Sequence, residues 1–157
     1  MKIHDLILVI SITTALAGMN PAYAAPPVTV YKSPTCGCCD KYVDYLRDNG
    51  FAVKAVNESD MSAIKKRYGM SHVASCHTTL VNGYAVEGHV PVGAIRKLLK
   101  EKPAIAGISA PGMPENSPGM GEMIKGTLTI YAVPKVGKEP YVFSVERRLS
   151  GVDDIFD

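Results

Sequence analysis

Three of the four cysteines in the 157-residue chain lie within four positions, in the segment SPTCGCCDKY. Cys36, Cys38 and Cys39 follow the β-branched and aromatic run VTVY, which predicts a strand, and they precede a helical pattern. A turn from a strand into a helix therefore places three thiols side by side at a helix N-terminus. This arrangement is the strongest constraint on the fold and on its chemistry.

The segments around this turn predict a β-α-β-α order. After the cysteines, apolar residues at spacings of three and four indicate a helix, which Gly50 ends. A second strand is predicted over Phe51–Val56 because apolar residues alternate there. Ser59 or Asp60 then caps a second helix, since both side chains can accept a hydrogen bond from a free N–H of its first turn.

The next segment predicts a hairpin and a third helix. Thr78–Val81 and Tyr84–Glu87 flank Asn82-Gly83, a dipeptide typical of tight β-hairpins. Pro91–Lys100 has one apolar face and predicts an amphipathic helix. The resulting order, β-α-β-α-β-β-α, is that of a thioredoxin-like α/β fold.

A pattern near the N-terminus indicates the cellular compartment, and with it the redox conditions to which the thiols are exposed. An apolar run from Leu6 to Ala17 is followed by Ala-Tyr-Ala at 22–24, a pattern typical of a cleavable secretory signal. The run is shorter than the roughly 20 apolar residues that span a bilayer. We therefore expect residues 1–24 to be removed, and the mature chain to be a soluble periplasmic protein without a membrane anchor.

The charge of the mature chain argues against a nucleic-acid partner. Removal of Lys2 and Asp5 from the 17 basic and 15 acidic residues leaves 16 against 14, and the same formal charge of +2. Nucleic-acid binding needs a concentrated basic face, and a net charge this small does not indicate one.

The composition changes after the third predicted helix. Residues 104–123 are rich in glycine, proline, serine and methionine and lack periodicity, so we expect a functional loop there. From Thr127 onward, two apolar runs around a turn predict a C-terminal β-hairpin extension at a sheet edge. These boundaries predict a thioredoxin-like domain over 25–126, on which the hairpin and an acidic tail, 127–157, are packed.

The spacing of the cysteines leaves several chemistries open. Cys36 and Cys39 form a C-x-x-C pair at a helix N-terminus, where the helix dipole lowers thiol pKa values, and such a pair alone is typical of a disulfide oxidoreductase. Cys38 disturbs that interpretation, because three adjacent thiolates repel one another unless a cation compensates them. A soft metal does so directly, since thiolates select Cu(I), with Zn(II) as the commoner rival.

The fold prediction brings the fourth cysteine to the same place. Cys76 lies in SCHTT, directly before the third predicted strand. Thioredoxin-like proteins usually carry a cis-proline in this loop, against the C-x-x-C turn, whereas this chain has no proline there. Cys76 at that position would direct a fourth sulfur at the other three.

Histidines and methionines are further candidate ligands. His77 would bind metal only if its loop is irregular, because neighbouring strand residues point to opposite faces. For His72 and His89 the alternative is a turn or hydrogen-bonding role, and we expect at most one of the three histidines to be a ligand. Met113 and Met120 recur as Pro-Gly-Met, and thioether sulfur binds Cu(I); apolar packing is their alternative role.

Three segments together resemble a known family. YKSPTCGCCDKY, SCHTTLVNGYAVEGHVP and PGMPENSPGM look like parts of the bacterial CopG-like periplasmic copper-resistance proteins, over Val28 to about Met120. The resemblance implies a thioredoxin-like fold in the envelope of a Gram-negative bacterium, with the two Pro-Gly-Met methionines as further candidate ligands. The copper ligands that it implies are Cys36, Cys38, Cys39 and Cys76.

The sequence therefore predicts a periplasmic copper-binding protein for copper resistance. It would hold Cu(I) on its thiolates, which can bridge several ions, and could exchange electrons between Cu(I) and Cu(II) as a copper oxidoreductase. Other periplasmic copper-resistance proteins are its expected partners. Two alternatives remain: a periplasmic thiol-disulfide oxidoreductase that uses Cys36 and Cys39, and a structural domain whose cysteines are oxidised, although disulfide-stapled folds spread their cysteines further apart.

Overall fold

The computed structural model describes residues 26–120, 126–135 and 137–148. The predicted signal peptide, the end of the glycine- and methionine-rich segment and the acidic tail lie outside the described residues. Within those ranges, three helices pack on one mixed seven-stranded sheet. The prediction of an α/β fold is confirmed.

The first seven helices and strands follow the predicted order, and three strands come after them. In chain order the elements are β1 (Pro27–Lys32), α1 (Gly37–Asp48), β2 (Ala52–Asn57), α2 (Met61–Arg67), β3 (Thr78–Val81), β4 (Tyr84–Glu87), α3 (Val92–Glu101), β5 (Ile105–Ser109), β6 (Gly126–Pro134) and β7 (Tyr141–Arg148). A 3₁₀ turn at Ser71–Val73 lies between α2 and β3.

The strand order in the sheet is β2-β1-β3-β4-β5-β6-β7. β1 and β2 are parallel, and so are β4 and β5, while the other neighbouring pairs are antiparallel. Parallel neighbours need a crossover connection, which α1 supplies for the first pair and α3 for the second. The β6–β7 hairpin extends the sheet from β5 to the edge opposite β2.

Local sequence signals explain several element boundaries. The Asp60 carboxylate caps α2 by accepting a hydrogen bond from the Ala63 N–H at 3.0 Å. Asn82 and Gly83 both have positive φ, 45° and 82°, as a two-residue β-hairpin turn of this kind requires.

The prediction of an irregular segment over 104–123 is wrong for its first part. Ile105–Ser109 form β5, which lies between β4 and β6 in the interior of the sheet. Four of its five residues are buried, so the strand lacks the alternation of apolar and polar residues that marks a half-exposed strand. Its glycine, Gly107, belongs there because the β4 backbone passes against its Cα.

The core lies on both faces of the sheet. A larger cluster joins the apolar faces of α1 and α3 to β1, β4, β5 and β6, with Leu46, Leu98 and Ile108 among its fully buried members. A smaller one packs Met70 and Val73 on the opposite face. None of the helices within the described ranges has the length and apolar character needed to cross a membrane.

The strand register brings the ends of several strands together at one edge of the sheet. Tyr31 in β1 pairs with Thr78 in β3, Thr78 with Glu87 in β4, and Glu87 with Ser109 in β5. The cysteine turn after β1, the loop before β3 and the segments after β4 and β5 therefore all lie at this edge.

Gly107→Ala tests the close contact between β4 and β5. We expect it to lower the free energy of unfolding by at least about 1–3 kcal/mol, because the new Cβ would overlap the Ala85 carbonyl group. Urea denaturation of the reduced, metal-free protein, followed by circular dichroism, measures the change. Gly37→Ala is the matched control, since nothing lies within 4 Å of a Cβ added there. Equal stability of the two variants would contradict this pairing.

Candidate metal centre

Four cysteine sulfurs meet where β1 ends and β3 begins. The Sγ atoms of Cys36 and Cys38 are 3.5 Å apart, and those of Cys38 and Cys76 are 3.8 Å apart although 38 positions separate these residues. All four sulfurs lie within 4.8 Å of one another. We call this group the sulfur cluster: Cys36, Cys38, Cys39 and Cys76.

Two members of the sulfur cluster are joined. Cys36 and Cys39 form a disulfide, with their Cα atoms 5.3 Å apart, whereas Cys38 and Cys76 are free thiols. Cys36 is the N-cap residue of α1, and Cys39 is fully buried in the first turn of that helix. The pair that a disulfide oxidoreductase would use is therefore oxidised here. Cys38, for which that chemistry has no role, lies between the pair and Cys76.

Two buried histidines extend the sulfur cluster. His77 and His89 are both fully buried, and each has a ring nitrogen within 4.8 Å of the Cys76 sulfur and of the other histidine. The Nε2 atom of His89 lies 3.2 Å from Cys76 Sγ. We call His77 and His89 the histidine pair.

Two histidines lie at the candidate centre, whereas the sequence analysis expects at most one of the three histidines to be a ligand. β3 begins at Thr78, so Cys76 and His77 precede the strand and the alternation rule does not separate them. His89 could have been found from the hairpin. The pairing of Thr78 with Glu87, extended by two positions, places Cys76 opposite His89. His72, in contrast, is exposed in the 3₁₀ turn.

One buried carboxylate holds both flanks of segment 76–77. Glu87 Oε1 accepts hydrogen bonds from the Ser75 N–H at 2.7 Å and from Lys65 Nζ at 2.6 Å. Its Oε2 accepts one from the Thr78 hydroxyl at 2.6 Å. Glu87 is fully buried and paired with a nearly buried ammonium group, so the carboxylate is both neutralised and fixed in position. The two candidate ligands between these flanks therefore have a rigid support.

A backbone carbonyl orients the ring of His89. The Pro118 carbonyl oxygen lies 2.6 Å from His89 Nδ1, so this nitrogen must carry a proton and donate it. In the neutral ring the lone pair is then on Nε2, which faces Cys76. A ring nitrogen fixed in this way by a partner on the other nitrogen is typical of metal-binding histidines.

Among the described residues, the ring of His77 has no hydrogen-bond partner. Both of its nitrogens are buried and unpaired, and the ring packs 4.5 Å from that of Tyr42. Buried polar groups are nearly always hydrogen-bonded, so an unpaired imidazole beside a thiol and a second imidazole is unusual. A cation bound to one of the ring nitrogens would satisfy this imidazole. The residues present thus fit a metal ion that binds sulfur and nitrogen.

Burial sets the protonation states of the metal-free centre. Desolvation, together with the neighbouring Cys38 thiol, raises the pKa of the Cys76 thiol to about 11. Burial lowers the pKa of His77 well below its ordinary value and lowers that of His89 in the same direction. The imidazoles are therefore in the neutral form that binds metals. Cys76 needs a nearby cation before it becomes a thiolate at neutral pH.

The loop after β5, residues 111–120, is held beside the sulfur cluster near both of its ends. The Ser75 hydroxyl donates a hydrogen bond to the Gly112 carbonyl oxygen. Gly119 packs so closely that a Cβ there would be 3.3 Å from the Cys38 carbonyl oxygen. The loop backbone therefore contacts the segments that carry Cys76 and Cys38.

Met113 and Met120 each follow one of these contact points. Met113, after Gly112, is 59% exposed, and Met120, after Gly119, is half-buried. Both lie on this loop beside the sulfur cluster, whereas their role as copper ligands stays a prediction.

Two solved structures share this architecture. Both are of the copper resistance protein CopG, described as form 1 and form 2, and each aligns with a TM-score of 0.71 and 35% sequence identity. Each alignment covers 78% of this chain and 98% of the other. The chain belongs to the CopG family. The resemblance noted in the sequence is therefore confirmed.

A family model supports part of this CopG-family assignment. It is described as a protein of unknown function, DUF411, and it matches residues 73–120. That range contains Cys76, the histidine pair and both Pro-Gly-Met motifs, and it begins after the cysteine turn. No curated protein sequence matches the chain.

Glu87→Gln tests the buried support of the CopG-family centre. We expect this change to lower the free energy of unfolding by about 3–5 kcal/mol, because Lys65 would be left buried without its counter-charge. The double variant Lys65→Met/Glu87→Gln should recover part of the loss, since no unpaired charge remains. Thr78→Val, which removes one hydrogen bond, is the control and should cost about 1 kcal/mol. Urea denaturation measures all three. A Glu87→Gln cost no larger than that of Thr78→Val would rule out the carboxylate as the support.

His77 should make the metal-free protein sensitive to acid. Because burial lowers its folded-state pKa, the unfolded chain binds more protons once the pH falls below the unfolded pKa of about 6.5. Below that pH, the free energy of unfolding should fall by up to about 1.4 kcal/mol per pH unit for this histidine. His77→Phe should reduce the slope without abolishing it, since His89 acts in the same direction. Urea denaturation between pH 5 and 7.5 measures the slopes, and equal slopes would contradict a neutral, buried His77.

Proposed function

We propose that the protein binds Cu(I) as its cargo and that this binding serves copper resistance. The observation that carries the proposal is the meeting of four sulfurs with a buried imidazole that has no hydrogen-bond partner within the part of the chain that the structure describes. Thiolates select Cu(I) among biological metals, and imidazole is compatible with it. The similarity to the copper resistance protein CopG supports copper as the metal.

Six side chains are the proposed ligands. They are the four members of the sulfur cluster and the two members of the histidine pair. With all four sulfurs reduced, thiolates can bridge more than one ion, because each sulfur has lone pairs to share. A bound ion would also stabilise the thiolate form of Cys76, which would then lose its proton. Copper uptake should therefore release protons. Met113 and Met120 are proposed as outer ligands on the path by which copper enters.

We also propose a thioredoxin-like fold and a periplasmic location. The strand order β2-β1-β3-β4, with α1 between two parallel strands, supports the fold, and β5, β6 and β7 then extend it. The secretory pattern in residues 1–24 supports export. Other periplasmic copper-resistance proteins remain the proposed partners for copper transfer.

A thiol-disulfide oxidoreductase is the second candidate. The observation that favours it is the disulfide between Cys36 and Cys39 at the N-terminus of α1. This chemistry gives no role to Cys38 or to the unpaired ring of His77. The two candidates therefore predict different effects when these residues are changed.

A Cu(I) competition titration tests the proposed function. Against a Cu(I) chelator, under anaerobic and reducing conditions, we expect Cys76→Ser and His77→Phe to bind fewer ions or to bind at least about tenfold more weakly, a loss of about 1.4 kcal/mol. Cys38→Ser should weaken binding as much as Cys36→Ser does. His72→Gln, at an exposed position, is the matched control and should bind like the parent protein.

The same variants separate the two candidates. Circular dichroism of each metal-free variant checks that it is folded. If Cys38→Ser and His77→Phe bind copper like the parent protein, while Cys36→Ser and Cys39→Ser abolish disulfide exchange with a peptide substrate, the copper proposal is wrong and the oxidoreductase remains.

A further inference from the structure

The outer edge of β7 is open, and the strand has few of the features that protect a sheet edge. β7 is the last strand in the sheet order, and within the described residues no strand pairs with its outer side. β2, at the opposite edge, carries the exposed Lys54, a side chain typical of protected edges. Tyr141–Arg148 contains neither lysine nor proline. An edge of this kind readily accepts a further strand.

Exposed apolar side chains are concentrated on this strand. Of the four large apolar side chains that are exposed within the described ranges, three belong to β7: Tyr141, Val142 and Val145. Val145 pairs with Thr129 of β6, and the exposed Arg147 pairs with Thr127. Val145 and Arg147 are two positions apart in a strand, so their side chains lie on the same face of the sheet. The open edge therefore presents an apolar side chain and a cation on one face.

The segment that follows β7 complements it in charge and in apolar character. In LSGVDDIFD, residues 149–157, the dipeptide Ser150-Gly151 is typical of tight turns. Two aspartates and the apolar pair Ile155-Phe156 come after it. A chain that reverses at Ser150-Gly151 runs antiparallel to β7 along the open edge.

We propose that residues 152–157 add to the open edge of β7 as a further antiparallel strand, with Ser150-Gly151 as the turn. The occupant of this surface is therefore a segment of the same chain. In the proposed register, Asp154 lies opposite Arg147 and Phe156 lies opposite Val145. The inference is independent of the proposed copper binding, because it involves no residue of the candidate metal centre.

The charges select this register over its neighbours. A shift of one position in one direction puts Asp154 opposite Glu146, and like charges directly opposite each other are destabilising. A shift in the other direction puts Asp157 opposite Val145, a charge against an apolar side chain. A turn of two or of four residues centred on Ser150-Gly151 gives the proposed register, whereas turns of odd length give the shifted ones. One-residue shifts also exchange the two faces of the added strand.

A second copy of the chain is the other occupant that such an edge accepts. The attached segment is favoured because only a short turn joins it to β7, which gives it an effective concentration at the edge on the order of millimolar or higher. The opposite charges of Arg147 and Asp154 add to this preference. We therefore assign the edge to the attached segment.

Phe156→Trp reports whether the segment packs on β7, because the natural chain contains no tryptophan. We expect blue-shifted emission and weak quenching by acrylamide in the folded protein, since the indole would pack on Val145. A free peptide of residues 149–157 with the same substitution is the reference for an undocked segment. Emission and quenching equal to those of this peptide would overturn the proposal.

Charge exchange tests the register without the tryptophan. Arg147→Glu should lower the ratio of docked to free segment by about threefold or more, because a cross-strand attraction becomes a repulsion. Hydrogen exchange of the β7 amides, followed by mass spectrometry, measures this ratio, since an outward N–H exchanges only while the segment is undocked. Arg147→Glu/Asp154→Arg should restore the slow exchange, whereas Arg147→Glu/Asp157→Arg should not.

Lys138→Glu is the matched control for Arg147→Glu. It makes the same change of charge at an exposed position in the connection between β6 and β7, and it should leave the exchange of the β7 amides unchanged. Equal recovery with Asp157→Arg and with Asp154→Arg, or no response to Arg147→Glu, would overturn the proposed register. Circular dichroism checks that each variant is folded.

Analytical ultracentrifugation identifies the occupant of the edge. We expect a monomer in which the protection of the β7 amides does not depend on protein concentration. A dimer, together with protection that rises with protein concentration, would assign the edge to a second copy of the chain and overturn the proposal.

Discussion

The ion pair between Glu87 and Lys65 is buried, and the Glu87 carboxylate fixes the position of the loop before β3. The Glu87 carboxylate also accepts hydrogen bonds from Ser75 and Thr78, so one side chain of β4 fixes the chain on both sides of Cys76 and His77. Removal of one partner of such a pair costs more free energy than the pair contributes, because the other charge stays buried. The geometry of the candidate metal centre therefore depends on a residue that is not itself a candidate ligand.

The centre is electrostatically incomplete without a cation. Burial and a neighbouring thiol disfavour the thiolate of Cys76, and burial keeps His77 and His89 neutral. A bound cation would stabilise the Cys76 thiolate and would bind the neutral imidazoles, since thiolates and neutral imidazoles are the forms that coordinate metals. The fold thus holds these side chains together at a cost that ion binding would offset.

Much of the fold could be predicted from local signals. Asn82-Gly83 sets the hairpin, Asp60 caps α2, and the cysteine turn joins a strand to a helix. β5 gives no such signal, because a strand buried on both faces has no alternation of apolar and polar residues. The histidine pair is not predicted, because strand alternation would place the neighbours Cys76 and His77 on opposite faces. The disulfide between Cys36 and Cys39 could not be predicted, since the same sequence supports a thiol pair or a disulfide, depending on the electrons available.

The Asn82-Gly83 turn sits at the far end of the hairpin from the metal centre, and yet it sets which side chains meet there. Surface turns usually tolerate changes in length, because few contacts depend on them. In this hairpin the pairing of Thr78 with Glu87 continues to Cys76 opposite His89. A slip of one residue would exchange the faces of the strand and bring either Gly88 or Val90, instead of His89, opposite Cys76. The chemistry of the centre therefore limits insertions and deletions at a turn with which it has no contact.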